Sequence, residues 1–138
     1  MSNLSGSVGP QRYLLRVTAW GYDVNRPLGK GGYGQVYAAT GENGEPCAAK
    51  VVPKADGAGR ELLIAQDVPE SPYVVPIVNI EETPSSYVLY MPRADGSLRD
   101  RMLSGIPAGA EIEILKEIAE ALAAISPNVV HRDLKPEN

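Results

Sequence analysis

Six residues, Gly29-Lys30-Gly31-Gly32-Tyr33-Gly34, hold four glycines and lie between two runs with strand character. Glycine destabilises helix interiors and admits tight backbone turns, so this cluster reads as a turn. Tyr22 to Leu28 leads into it, and Gln35 to Thr40 leads out with strand-like residues. The next turn follows at once. Gly41-Glu42-Asn43-Gly44-Glu45-Pro46 contains an Asn-Gly pair, a strong hairpin signal. Cys47-Ala48-Ala49-Lys50-Val51-Val52 then reads as a third strand. Connections this short leave no room for a crossover, so the three strands are antiparallel neighbours.

The glycines at 29, 31 and 34 fit G-x-G-x-x-G. A dinucleotide-binding unit would open a helix at this point and place an acidic residue about 20 positions on. Here a strand pattern follows, and position 49 is Ala49. The Walker form fails as well, because Lys30 precedes Gly31 rather than Ser or Thr. A strand–glycine turn–strand unit can still bring backbone N–H groups over phosphates with no side chain in the way. A plain glycine-rich hairpin has the same local pattern, so the cluster alone does not fix a ligand. Lys50 adds weight to the first reading, since a lysine inside an apolar strand is costly unless paired.

Residues 1–12 are rich in Ser and Gly without periodicity and read as a loose arm. Tyr13 to Trp20 alternates weakly, as a short extra strand or a strap. Asp56 is placed to cap a helix from about Ala58 to Asp67, ended by Pro69. Val74 to Ile80 and Ser86 to Met91 are β-rich, with Glu81 to Ser85 as the turn between them. Gly96 to Leu103 reads as a short helix. Ala110 to Ile125 reads as a longer one, with Ile112, Leu115, Ile118, Leu122 and Ile125 at helical spacing.

The 138 residues suffice for one domain or two small lobes. A formal charge of −4 argues against nucleic acid or an anionic membrane as the main partner. The single cysteine, Cys47, excludes an intramolecular disulfide, reads as a small buried apolar residue and fits a reducing, cytoplasmic setting. No apolar run is long enough for a membrane-spanning helix, and no secretory leader is visible in residues 1–10.

The chain ends on His131-Arg132-Asp133-Leu134-Lys135-Pro136-Glu137-Asn138. This run resembles the catalytic loop of protein kinases, in the form typical of the serine/threonine branch. With it, Ala48-Ala49-Lys50 resembles the family's V-A-I-K motif with Cys47 in place of Val, and the resemblance extends over residues 22–138. It implies an α+β fold: a five-stranded antiparallel small lobe with one helix over 22–91, a connector at 92–95, and the first helices and catalytic loop of a large lobe over 96–138. Residues 1–21 then form an N-terminal arm.

The resemblance also implies roles. Gly29, Gly31 and Gly34 cover the phosphates of ATP, and Lys50, paired with Glu61 of the helix after it, orients them. Leu28, Val36, Ala48 and the strand ending at Tyr90 wall an adenine pocket, with Tyr90 at the gatekeeper position. The backbone of Met91 to Arg93 hydrogen-bonds the base, although Pro92 has no N–H to donate. Asp133 acts as base, Lys135 steadies the γ-phosphate and Asn138 binds Mg²⁺. His131 packs beneath the loop. The run Leu134 to Asn138 points to Ser or Thr hydroxyls of a protein substrate. No D-F-G motif follows, and the chain has no Phe. One neutral amide is a poor site for a hard cation. The expectation is therefore that these 138 residues alone are inactive or nearly so, with a partner covering the apolar stripe of 110–125. A truncated pseudokinase acting as a binding module, and a small-molecule phosphotransferase of the same fold, are the competing readings.

Overall fold

The computed structural model describes residues 19–31, 34–55, 70–126 and 134–138. Its centre is one antiparallel sheet of five strands in the order β1-β2-β3-β5-β4. The strands are β1 (Gly21–Gly31), β2 (Gly34–Thr40), β3 (Pro46–Pro53), β4 (Asn79–Glu82) and β5 (Ser86–Pro92). Two helices follow, α1 (Leu98–Ser104) and α2 (Ala110–Ile125). The expected α+β architecture with a five-stranded antiparallel sheet is what forms. The expected helix at 58–67 lies outside the described residues.

The glycine cluster continues the ladder rather than interrupting it. Gly29 pairs with Val36, Lys30 with Gln35 and Gly31 with Gly34, so β1 and β2 run up to the turn itself. Register shifts between Tyr22 and Gly29 bend β1 on the way. The Asn-Gly turn closes β2 onto β3 as the sequence predicts. Gly44 takes φ +83°, a conformation that side chains with a Cβ rarely adopt, and its N–H donates to the Gly41 carbonyl.

Strand alternation sorts the sheet into two faces. On the outer face, Ala39, Cys47, Ala49, Val88 and Tyr90 form a buried cluster, with Trp20 and Val51 packed against it. The rings of Trp20 and Tyr90 lie 5.0 Å apart, tilted by 51°. Trp20, just before β1, thus lies across this face as a strap would. On the other face, here the cleft face, Val52 and Leu89 are buried beneath Ile77, Ile80, Tyr87 and Met91. A fully buried valine or leucine contributes about 1.5–3 kcal/mol, and among the described residues the buried hydrophobic ones lie in β2, β3 and β5.

Two boundaries differ from the sequence reading. The strand expected at Val74–Ile80 forms instead at Asn79–Glu82. Pro76 cannot donate to a ladder, and the Val74 N–H is drawn into a turn by the Ser71 carbonyl. Glu81 and Glu82 therefore belong to β4, and the turn is Thr83 to Ser86, closed by Thr83 N–H on the Ser86 carbonyl at 2.8 Å. The short helix starts at Leu98 rather than Gly96, because Ser97 caps it. The Ser97 hydroxyl accepts from the Asp100 N–H, and the Asp100 carboxylate accepts from the Ser97 N–H at 2.8 Å. α2 has the predicted limits. Glu111 and Glu113 in its first turn suit the helix dipole. Neither helix has a buried residue.

Candidate functional site

Directly opposed residues on neighbouring strands share a face, so the ladder fixes which side chains meet. Val36 opposes Lys50, Ala38 opposes Ala48, Lys50 opposes Leu89 and Ala48 opposes Met91. The cleft face therefore presents Val36, Ala38, Ala48, Lys50, Leu89 and Met91 together, next to Gly29 opposite Val36. Two buried alanines make this surface shallow, with Lys50 half-buried at its centre. A flat apolar floor beside one cation suits a planar base joined to a phosphate chain.

The glycines divide the work. A Cβ built on Gly29 meets nothing within 4 Å, so the space above the end of β1 is open. A Cβ on Gly34 meets the Val51 carbonyl oxygen at 2.5 Å. Gly34 is thus required by the close approach of β2 to β3, whatever occupies the cleft. Gly31 lies at the tip of the ladder opposite Gly34. Leu28, 43% exposed, precedes Gly29 on the same strand.

Tyr90 does not join this set. It opposes Ala49, packs on Trp20 and Cys47 across the outer face, and is 1% exposed. Its hydroxyl donates to the Glu81 carboxylate at 3.0 Å. Burial, and then that acceptor, push its pKa well above the usual tyrosine range. The neighbour that does face the cleft is Met91, opposite Ala48. Counting strand alternation from Lys50 reaches Met91 once the β3–β5 register is known, and that register is a tertiary fact. Cys47, also on the outer face, has a thiol raised by burial and by Glu45, so it is a packed core group and not an activated one.

Pro92 closes β5, and Arg93 lies exposed just beyond it. At the chain's far end Lys135 and Asn138 belong to one turn, in which the Asn138 N–H donates to the Lys135 carbonyl at 3.0 Å. Both side chains are exposed. Glu61, His131, Arg132 and Asp133 lie outside the described residues. The open space at Gly29, the alanine floor and Lys50 fit a nucleoside triphosphate. Magnesium is another matter. Among the described residues no group of three His, Cys, Asp or Glu side chains is placed to hold a metal ion. The described residues alone do not make a magnesium site.

Comparison with known proteins agrees with this geometry. The protein kinase domain family matches residues 22–138. Serine/threonine-protein kinase pkn2 of Myxococcus xanthus is 38% identical over 129 residues, covering 85% of this chain and 15% of that protein. Aurora/IPL1-related protein kinase 2 of Caenorhabditis briggsae is 30% identical over 129 residues, covering 85% and 43%. Calcium/calmodulin-dependent protein kinase type 1B of Rattus norvegicus is 30% identical over 129 residues, covering 85% and 37%. The chain belongs to the protein kinase family, and it spans less than half the length of each of these relatives. Among the described residues no helix is long and apolar enough to cross a membrane.

Proposed function

We propose that the chain carries the ATP-binding part of a protein serine/threonine kinase. The observation that supports this most is the single face shared by Gly29, Val36, Ala48, Lys50 and Met91. On it the adenine ring lies against Val36 and Ala48, with Met91 rather than Tyr90 as the inner wall and Leu28 at the mouth. The backbone of the connector after Met91 meets the edge of the base, with Pro92 offering only its carbonyl. Lys50, held by Glu61, meets the α- and β-phosphates, and N–H groups of Gly29 to Gly34 lie over them.

In the transfer itself, the oxygen of a Ser or Thr hydroxyl forms a bond to the γ-phosphorus as the bond to the β-phosphate oxygen breaks. Asp133 takes the hydroxyl proton, and ADP leaves with the electron pair. Lys135 steadies charge on the phosphoryl group. Asn138 would offer one amide oxygen to a magnesium ion, whose charge would screen the phosphates. The setting proposed is cytoplasmic and the substrate is a protein.

Calorimetric titration of the folded chain with ATP tests the reading. The reading predicts saturable binding that Lys50→Met weakens at least about tenfold, the loss of a charge-assisted contact of roughly 1.5–3 kcal/mol. No ATP binding by a chain whose sheet is intact by circular dichroism would overturn it.

A further inference from the structure

The start of α1 is tied to the far end of the chain. The Arg99 main-chain N–H donates to the Pro136 carbonyl oxygen at 2.9 Å, across 37 positions of sequence. The first N–H groups of a helix have no partner within it. Around the start of α1 three main-chain donors besides Arg99 find their partners within the cap. The Asp100 N–H goes to the Ser97 hydroxyl at 3.2 Å, and the Arg101 N–H goes to the Ser97 carbonyl at 3.2 Å. The Ser97 N–H is held by the Asp100 carboxylate at 2.8 Å. This box fixes the first turn from within and leaves the Arg99 N–H to reach outward. Its acceptor is the second residue of the turn from Lys135 to Asn138, itself closed at 3.0 Å.

We infer that the Arg99 amide is a positioning group for that turn. This inference rests on the kinase reading and adds to it. Lys135 and Asn138 stand at the two ends of one four-residue turn, so a single anchor at Pro136 sets both. Residues 93–97 join β5 to α1, and the anchor joins α1 to the turn. The sheet that holds the nucleotide and the turn that meets its γ-phosphate are thereby kept in one frame. The side chain of Arg99 is exposed and plays no part in this contact. Sequence motifs are therefore blind to it.

The test is nuclear magnetic resonance on the folded chain. A scalar coupling through the hydrogen bond, from Arg99 nitrogen to Pro136 carbonyl carbon, is expected in the unmodified protein, and its absence with both signals assigned overturns the inference. Arg99→Pro removes the N–H at the second helical position, where no bond within the helix is lost. It is expected to speed exchange of the Asn138 amide about three- to tenfold, the range of one hydrogen bond. Arg99→Ala keeps the N–H and is expected to retain the unmodified exchange. Titration with ATP is then expected to shift Gly29 and Val36 alike in all three proteins, and to shift Lys135 less in Arg99→Pro. Equal Lys135 shifts in Arg99→Pro and Arg99→Ala would overturn the positioning role while leaving nucleotide binding intact. If ATP shifts no residue of the unmodified protein, the kinase reading falls and the positioning role falls with it. If Arg99→Pro does not fold, the coupling in the unmodified protein decides the contact.

Discussion

The sheet and α2 are both amphipathic by sequence, yet only the sheet achieves burial. Ala49, Val88 and Tyr90 of the sheet are at most 1% exposed, whereas Ile112 and Leu115 of α2 are 68% and 65% exposed. Periodicity says which face of an element is apolar. It does not say what covers that face. β2, β3 and β5 lie side by side in the sheet and cover one another's flanks, and Trp20 packs against the outer side. α2 has its stripe in the predicted place with no buried residue along it. Among the described residues burial is therefore concentrated in three strands, and α2 adds no buried residue to it.

The contrast can be broken most directly at Tyr90. Tyr90→Ala removes a buried ring, its contact with Trp20 and the partner of Glu81, and is expected to cost about 3–5 kcal/mol in denaturant unfolding. A cost below about 1 kcal/mol would mean that the outer face is not the core. Next in size is Gly34→Ala. Its Cβ meets backbone at the Val51 carbonyl, which no rotamer change relieves, so about 1–3 kcal/mol is expected in thermal melts. Gly29→Ala, built into open space, is expected to leave the melt unchanged while weakening ATP binding. Equal destabilisation by the two glycine variants would contradict the division of labour between them. On α2, Leu115→Ala is expected to change stability by no more than about 0.5 kcal/mol. A large loss there would show that the stripe is covered in solution.

The smallest effect is local to α1. Asp100 is held below the usual carboxylate range by its hydrogen bonds from the Ser97 backbone and hydroxyl. A depressed folded-state pKa stabilises above the unfolded value and is lost as pH falls through the folded one. The cap should therefore persist at neutral pH and release only below about pH 3.9, the ordinary Asp value. The Asp100 carboxyl carbon shift, followed by resonance, checks this. Asp100→Asn should abolish the acid-linked loss of amide protection in α1, read as protection factors from which the intrinsic pH dependence of exchange has been divided out.

Much of this was legible in the residues. The glycine cluster and Asn43-Gly44 announced two tight turns, and the strands around them followed with little freedom. The limits of α2 followed from the helical spacing of Ile112, Leu115, Ile118, Leu122 and Ile125 and from the stop at Ser126-Pro127. Local chemistry decided each of these. β4 was misplaced because Val74, Val75, Ile77 and Val78 have β propensity, while one proline and the Ser71 turn hold the chain off the ladder until Val78, whose N–H donates to the Tyr90 carbonyl just before β4 begins at Asn79. Which of Tyr90 and Met91 shares the face of Lys50 was not legible for a related reason. Tyr90 and Met91 are neighbours on opposite faces, and only the pairing of Ala48 with Met91 says which one faces Lys50. The Arg99–Pro136 contact left no trace in the side chains at all.

The central claim is that one face of the sheet, and not the other, receives ATP. Chemical-shift mapping of the folded chain with ATP tests it most directly. The prediction is that Val36, Ala48 and Met91 shift while Tyr37, Ala49 and Tyr90, their neighbours on the outer face, stay in place. Shifts confined to Tyr37, Ala49 and Tyr90, or none on either face, would contradict the account.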